Sequence, residues 1–243
     1  MQRILALVFL IAASALSAQE AIPPGTILPL QLNNSLNSKK MREGQKVSAR
    51  VMQDVPLGSG PRIRAGAKVL GRIVSVTPAS RGTAAISLRF DTLASGKRRI
   101  PITTSLRALA TMMDVQSAQQ PATGPDRGTS DFYWTTQQIG GETVYRGGGV
   151  VTHGSEVVGR SVMNGVLVQV PATSGCGGEA DNRLQALWVF SSDACGLYDL
   201  PDLTLTHAGR SQPQGVIRLT AQKGEVKVPA GSGLLLQVRN AGS

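Results

Sequence analysis

The sequence predicts an all-β protein: a small closed barrel or compact sandwich, followed by a Gly-rich β region carrying one disulfide. Three observations lead there. Glycine and proline are plentiful, 28 and 13 in 243 residues, and they break the chain into short segments. Within many segments apolar and polar residues alternate with a period of two, as in a half-buried strand, and no long stretch keeps the 3.6-residue period of a helix. Finally, one phrase recurs. "IPPGTILPLQL" at 22–32 and "VPAGSGLLLQV" at 228–238 share apolar, Pro, small, Gly and hydroxyl residues, then alternating apolar positions with Gln in the same place; "IRAGAKVLGRI" at 63–73 is a weaker copy.

Residues 1–18 read as a secretory signal peptide. Arg3 precedes an apolar run from Ile4 to Ala13, and small residues follow up to a cleavage point after Ser17 or Ala18. The run is too short to span a bilayer comfortably, so the expected product is periplasmic or extracellular, with no stable membrane span after cleavage.

Residues 19–109 should form the small barrel. Leu28, Leu30 and Leu32 share one strand face, and Pro29, lacking an N–H, predicts an edge position or a bulge. Val47, Ala49 and Val51 alternate with Ser48, Arg50 and Met52. Val69, Gly71 and Ile73 face one way and Leu70, Arg72 and Val74 the other, which suits a central strand. Ile86, Leu88 and Phe90 point inward, and "ASGKRR" signals a hairpin before "IPITTSL".

Residues 110–131, rich in Gln, Ala, Thr, Ser and Pro, read as a polar linker, with Met112, Met113 and Val115 able instead to finish a short helix. Residues 132–243 form the Gly-rich β region. "NGVLVQV" and "LQALWVF" read as strands, the second aligning Ala186, Trp188 and Phe190, with Trp188 a core residue or, alternatively, a ligand platform. The final 24 residues of this region up to Val238 read as two or three strands, the last of which pairs with the first if the shared phrase closes one sheet.

The first half resembles the TrbI-like β-barrel domain of conjugation and type IV secretion proteins. The likeness rests on "GTILPLQLNNSLNS", the Gly of "REGQKVSARVMQDV", "IRAGAKVLGRIVSV", and "ISLRFDTL" with "SGKRRIPI", about 80 residues in all. The resemblance implies a small barrel; family members also carry a membrane-inserted antenna helix, for which this chain has no apolar segment of sufficient length.

Charge is divided unevenly. Residues 1–110 hold 16 basic and 4 acidic side chains, whereas 111–243 hold 9 and 11. Arg62, Arg64, Lys68 and Arg72 flank the central strand and Lys97, Arg98 and Arg99 crowd a hairpin, which suggests a polyanion contact. In an exported protein the partner is an anionic envelope polymer or an envelope protein. Nucleic acid is not expected, since aromatic residues do not interleave with these charges.

The two cysteines, Cys176 and Cys195, are read as a disulfide. The other reading of this region is a cell-wall cysteine enzyme, because "THGS" at 152–155 and "TSGC" at 173–176 resemble elements of L,D-transpeptidases; a bridged cysteine could not serve as its nucleophile. A third is a carbohydrate- or surface-binding domain, which requires Trp134, Tyr145 and Trp188 to be exposed. His153 and His207 lack a second ligand at metal spacing, so no metal or other cofactor is expected. The sequence thus points to a non-catalytic binding or assembly module of the bacterial cell envelope.

Overall fold

The computed structural model describes residues 21–57, 61–79, 82–119, 136–139, 142–145, 150–153, 156–160, 187–190 and 194–240. The first half contains β1 (Ile27–Leu32), β2 (Leu36–Asn37), β3 (Lys46–Val51), β4 (Val55–Pro56), β5 (Arg62–Ile63), β6 (Lys68–Thr77), β7 (Ala84–Ser95), β8 (Arg98–Pro101) and β9 (Thr103–Ala110), followed by helix α1 (Met112–Gln119). A four-stranded antiparallel sheet follows: β10 (Thr136–Ile139), β11 (Glu142–Tyr145), β12 (Val150–His153) and β13 (Glu156–Arg160). Last come β14 (Gly196–Tyr198), β15 (Leu203–Thr206), β16 (Ile217–Ala221), β17 (Lys227–Val228) and β18 (Gly233–Arg239).

Ten strands form one mixed sheet in the order β14-β9-β18-β1-β3-β6-β7-β16-β15, with β8 beside β7. Every described pairing within it is antiparallel except β14 with β9. The expected closed barrel is not formed. The first-half strands do not close on themselves, because β18 lies between β1 and β9, and β16 and β15 extend the sheet beyond β7. The sheet is nevertheless curled: Thr104 Oγ1 on β9 donates to the Phe90 carbonyl on β7 at 2.9 Å. Leu32, Leu88, Leu106, Leu219 and Leu234 line the same apolar interior.

The recurring phrase is a strand lead-in. In Pro23–Thr26, Arg42–Gln45, Arg64–Ala67 and Pro229–Ser232 the fourth N–H donates to the first carbonyl, and the third residue is a glycine with φ of 84°, 77°, 88° and 88° respectively. These are type II turns, whose third position needs the left-handed backbone that glycine adopts without a Cβ clash. Each turn then clasps the end of a neighbouring strand. Gly25 N–H donates to the Val238 carbonyl while Val238 N–H donates to Thr26; Gly231 and Ser232 hold Leu32 the same way. The second pair is identical in design, with Gly44 and Gln45 holding Ile73, and Gly66 and Ala67 holding Val51. Thus β1 with β18, and β3 with β6, are reciprocally locked pairs, and Leu28 lies opposite Leu236.

The alternation read from sequence places Leu28, Leu30, Leu32, Val47, Ala49, Val51, Val69, Ile73, Ile86, Leu88 and Phe90 in the concave core. Pro29 departs from expectation, for β1 is an interior strand. Its odd-numbered residues bond toward β3, and the β3 ladder ends at Leu30 with Met52 N–H donating to the Pro29 carbonyl. The missing N–H therefore falls where no strand asks for it.

The convex face of the sheet is divided in two. Over β1, β18 and β9 it is covered by a second apolar layer in which Ile27, Ala108, Ala110 and Leu235 meet Val115 of α1, Leu187–Phe190, Ala194 and Tyr198. Helix α1 starts within the expected linker, at the residues read as able to finish one. Thr111 caps it, accepting from Asp114 N–H at 3.1 Å while its hydroxyl donates to the Asp114 carboxylate at 2.9 Å. The expected strand through Trp188 is instead a tight turn: Phe190 N–H donates to the Leu187 carbonyl, and Trp188 has φ 57°. Over β3, β6, β8 and the Arg89–Ala94 stretch of β7 the convex face carries exposed and half-exposed side chains, whereas Ala85 and Ser87 of β7, beside β16, are buried.

Candidate cationic face

The open half of the convex face is built by register. Outward positions recur every second residue, and neighbouring strands lie about 4.8 Å apart. One row runs Gln31, Arg50, Lys68, Ala94, Arg99 from β1 to β8. A parallel row runs Lys46, Arg72, Arg89 across β3, β6 and β7. Farther along, Arg218 on β16 faces Ser87 on β7 and donates to its hydroxyl at 3.2 Å. Against these seven cations the five strands carry a single acid, Asp91.

Asp91 organises its row rather than cancelling it. Its carboxylate lies 3.0 Å from Arg72 Nη1 and 3.2 Å from Arg89 Nε, and it accepts from the Thr92 hydroxyl at 3.0 Å. Both arginines stay more than a third exposed, so their interaction with Asp91 is screened and they remain open to an outside anion. Arg50 is steadied by donating to Gln31 Oε1 at 3.1 Å.

The sequence-derived basic residues are only partly brought together. Lys68, Arg72 and Arg99 join the face. Arg62 and Arg64 lie apart, at the β4–β5 ribbon, where both reach Asp54 at 3.4 and 3.1 Å. Asp54 also accepts the Ala65 N–H at 2.9 Å, and this bond, with the hydrogen bond and charge of Arg64 and the charge of Arg62, holds its carboxyl below the ordinary carboxylate range against the opposing effect of burial. Lys97 sits in the exposed β7–β8 turn and Arg98 is exposed on β8. Lys46, Arg50, Arg89 and Arg218 belong to the face and were not singled out from sequence. Lys46, Ser48 and Arg50 do alternate with the buried Val47, Ala49 and Val51, which was the available signal.

Trp188 is 4% exposed and its N–H is bonded to the Gln53 side chain, so it is a core residue and not a sugar platform. Cys195 is buried, with its backbone N–H donating to Tyr198 Oη at 3.2 Å. Cys176, Trp134, the segment 161–186 and residues 1–18 lie outside the described residues. Among the described residues no group of three or more His, Cys, Asp or Glu could hold a metal ion, and no helix is long and apolar enough to cross a membrane. A polar cleft of about 220 Å³ opens where the two ends of the described fold meet, lined by Pro24, Gly25, Arg210, Gln214, Arg239 and Asn240 among others.

The architecture is therefore a curled, mixed β-sheet with one armoured and one cationic half to its outer surface. No family model matches the chain, and no curated protein matches it.

Proposed function

We propose that this protein is an exported, non-catalytic binding module of the bacterial cell envelope, whose cationic face takes an anionic envelope polymer. The observation that carries this reading is the face itself: seven cations on five adjacent strands with one acid among them. Such a field concentrates polyanions, and its effect weakens as salt screens it. The leader-like residues 1–18 support export, which makes wall polymers, lipopolysaccharide or an acidic envelope protein the accessible partners. The likeness of the first half to the TrbI-like domain enters here as a shared pattern of strand lead-ins, without a role in a secretion channel.

A Cys176–Cys195 disulfide belongs to the same proposal, and it removes the thiolate that a cell-wall cysteine enzyme would need. Titration of the unfolded, unreduced protein is expected to find no free thiol; two would restore the enzyme reading. For the binding role, the test is retention of residues 19–243 on immobilised heparin. The parent should elute only as salt rises, the R50Q/K68Q/R99Q triple variant should elute far earlier, and a K40Q/K223Q/K227Q control should behave as the parent. Equal losses in the two triples would reduce the effect to net charge, and no retention of the parent would remove the function.

A further inference from the structure

The two cation rows do not touch. Lys46 and Arg50 are four residues apart on β3, so the rows lie about 13 Å from each other, and between them runs a third row without charge: Ser48, Leu70, Thr92 and Pro101, in register across β3, β6, β7 and β8. Ser48 and Thr92 offer hydroxyls, each already oriented, the first accepting from Asn33 Nδ2 at 3.1 Å and the second donating to Asp91. Leu70 is half-buried and Pro101 exposed, so the floor presents aliphatic patches alternating with polar ones. At the β1 end it is the Arg50 row that meets the apolar outer layer, where Val115 and Phe190 close over Gly233, the residue opposite Gln31. Ala94, the small residue between Lys68 and Arg99, leaves one of the rows open at that point.

A chain charged at every unit, such as polyphosphate, gains from a continuous line of cations and nothing from an uncharged floor. Single-stranded nucleic acid needs aromatic platforms, and the outward positions of these strands hold none. A sugar chain has apolar C–H faces, hydroxyls, and anionic substituents that project to both sides. On the strength of the polyanion reading above, we infer that this lane seats an acidic polysaccharide lying across β3, β6, β7 and β8, its sugar faces on Leu70 and Pro101 and its carboxylates or sulfates held by the Arg50–Lys68–Arg99 row on one side and the Lys46–Arg72–Arg89 row on the other.

Isothermal titration of residues 19–243 with three probes tests this: heparin, polygalacturonate and polyphosphate. Both glycans should bind, the two together showing whether sulfate or carboxylate is preferred. In L70Q, and separately in the milder S48A/T92V variant, glycan affinity should fall about tenfold while polyphosphate affinity changes by less than about twofold. Melting of each variant checks that the sheet is intact, and the second variant leaves the half-buried leucine in place. If the lane variants leave glycan affinity unchanged, or weaken all three probes alike, the lane is overturned while the charge-based function stands. If no probe binds the parent, both fall.

Discussion

Gly71 shows how little freedom a central position leaves. It lies at a register shift between β6 and β7, and a Cβ built there would sit 2.0 Å from the Arg89 carbonyl oxygen. That atom is backbone, so it can move only by parting the two strands. Gly71→Ala should therefore destabilise the fold by about 1–3 kcal/mol or more, lowering the melting temperature by about 2–4 °C per kcal/mol for a chain of this size. A melting curve unchanged from the parent would show that the ladder relaxes at no cost. At the same scale Trp188 marks a limit of sequence reading. Nothing in "LQALWVF" announces a turn, because the residue that takes positive φ is a tryptophan held there by burial and by Gln53, both supplied from elsewhere in the chain.

At the level of elements, three of the four type II turns, Pro23–Thr26, Arg64–Ala67 and Pro229–Ser232, explain why distant stretches carry one phrase. Each must supply a glycine at its third position and hand the chain directly to a strand, and each must clasp the end of a partner. Gly66→Ala forces the left-handed backbone on a residue with a Cβ, in open space where nothing else changes. Its cost should be the conformational one, about 1–2 kcal/mol; a loss below a few tenths in denaturant unfolding would mean that the turn is not under that constraint. These turns and the period-two faces of β1, β3, β6 and β7 were legible because both are local. What eluded sequence was the arrangement across strands. Lys46, Arg50, Arg89 and Arg218 become one surface only through the registers of β3, β6, β7 and β16, and Arg62 and Arg64 leave it because Asp54, from the other arm of the ribbon, draws them away. The cap of α1 was local too, in Thr111 and Asp114, but lay in a stretch whose composition spoke for a linker.

For the whole molecule the decisive fact is that strands from both ends of the chain build one sheet. The barrel expected of residues 19–109 does not close because β18 occupies the place between β1 and β9. The ends of the described fold consequently lie side by side, Gly25 bonded to Val238. A circular permutant that joins residue 240 to residue 21 through a short Gly/Ser linker, and opens at the exposed Gly96–Lys97 turn, should retain a cooperative melt. Loss of cooperativity in that permutant would show that chain order, and not only adjacency, is needed for the sheet.

The lock between β1 and β18 also sets a timetable. When the ribosome has released Leu28, the segment that must lie against it is still some two hundred residues from being made, and β9 waits for that same late arrival. Until then the nascent polypeptide keeps uncovered hydrogen-bonding edges on β1 and β9, and neither completes its pairing before the last strand is made.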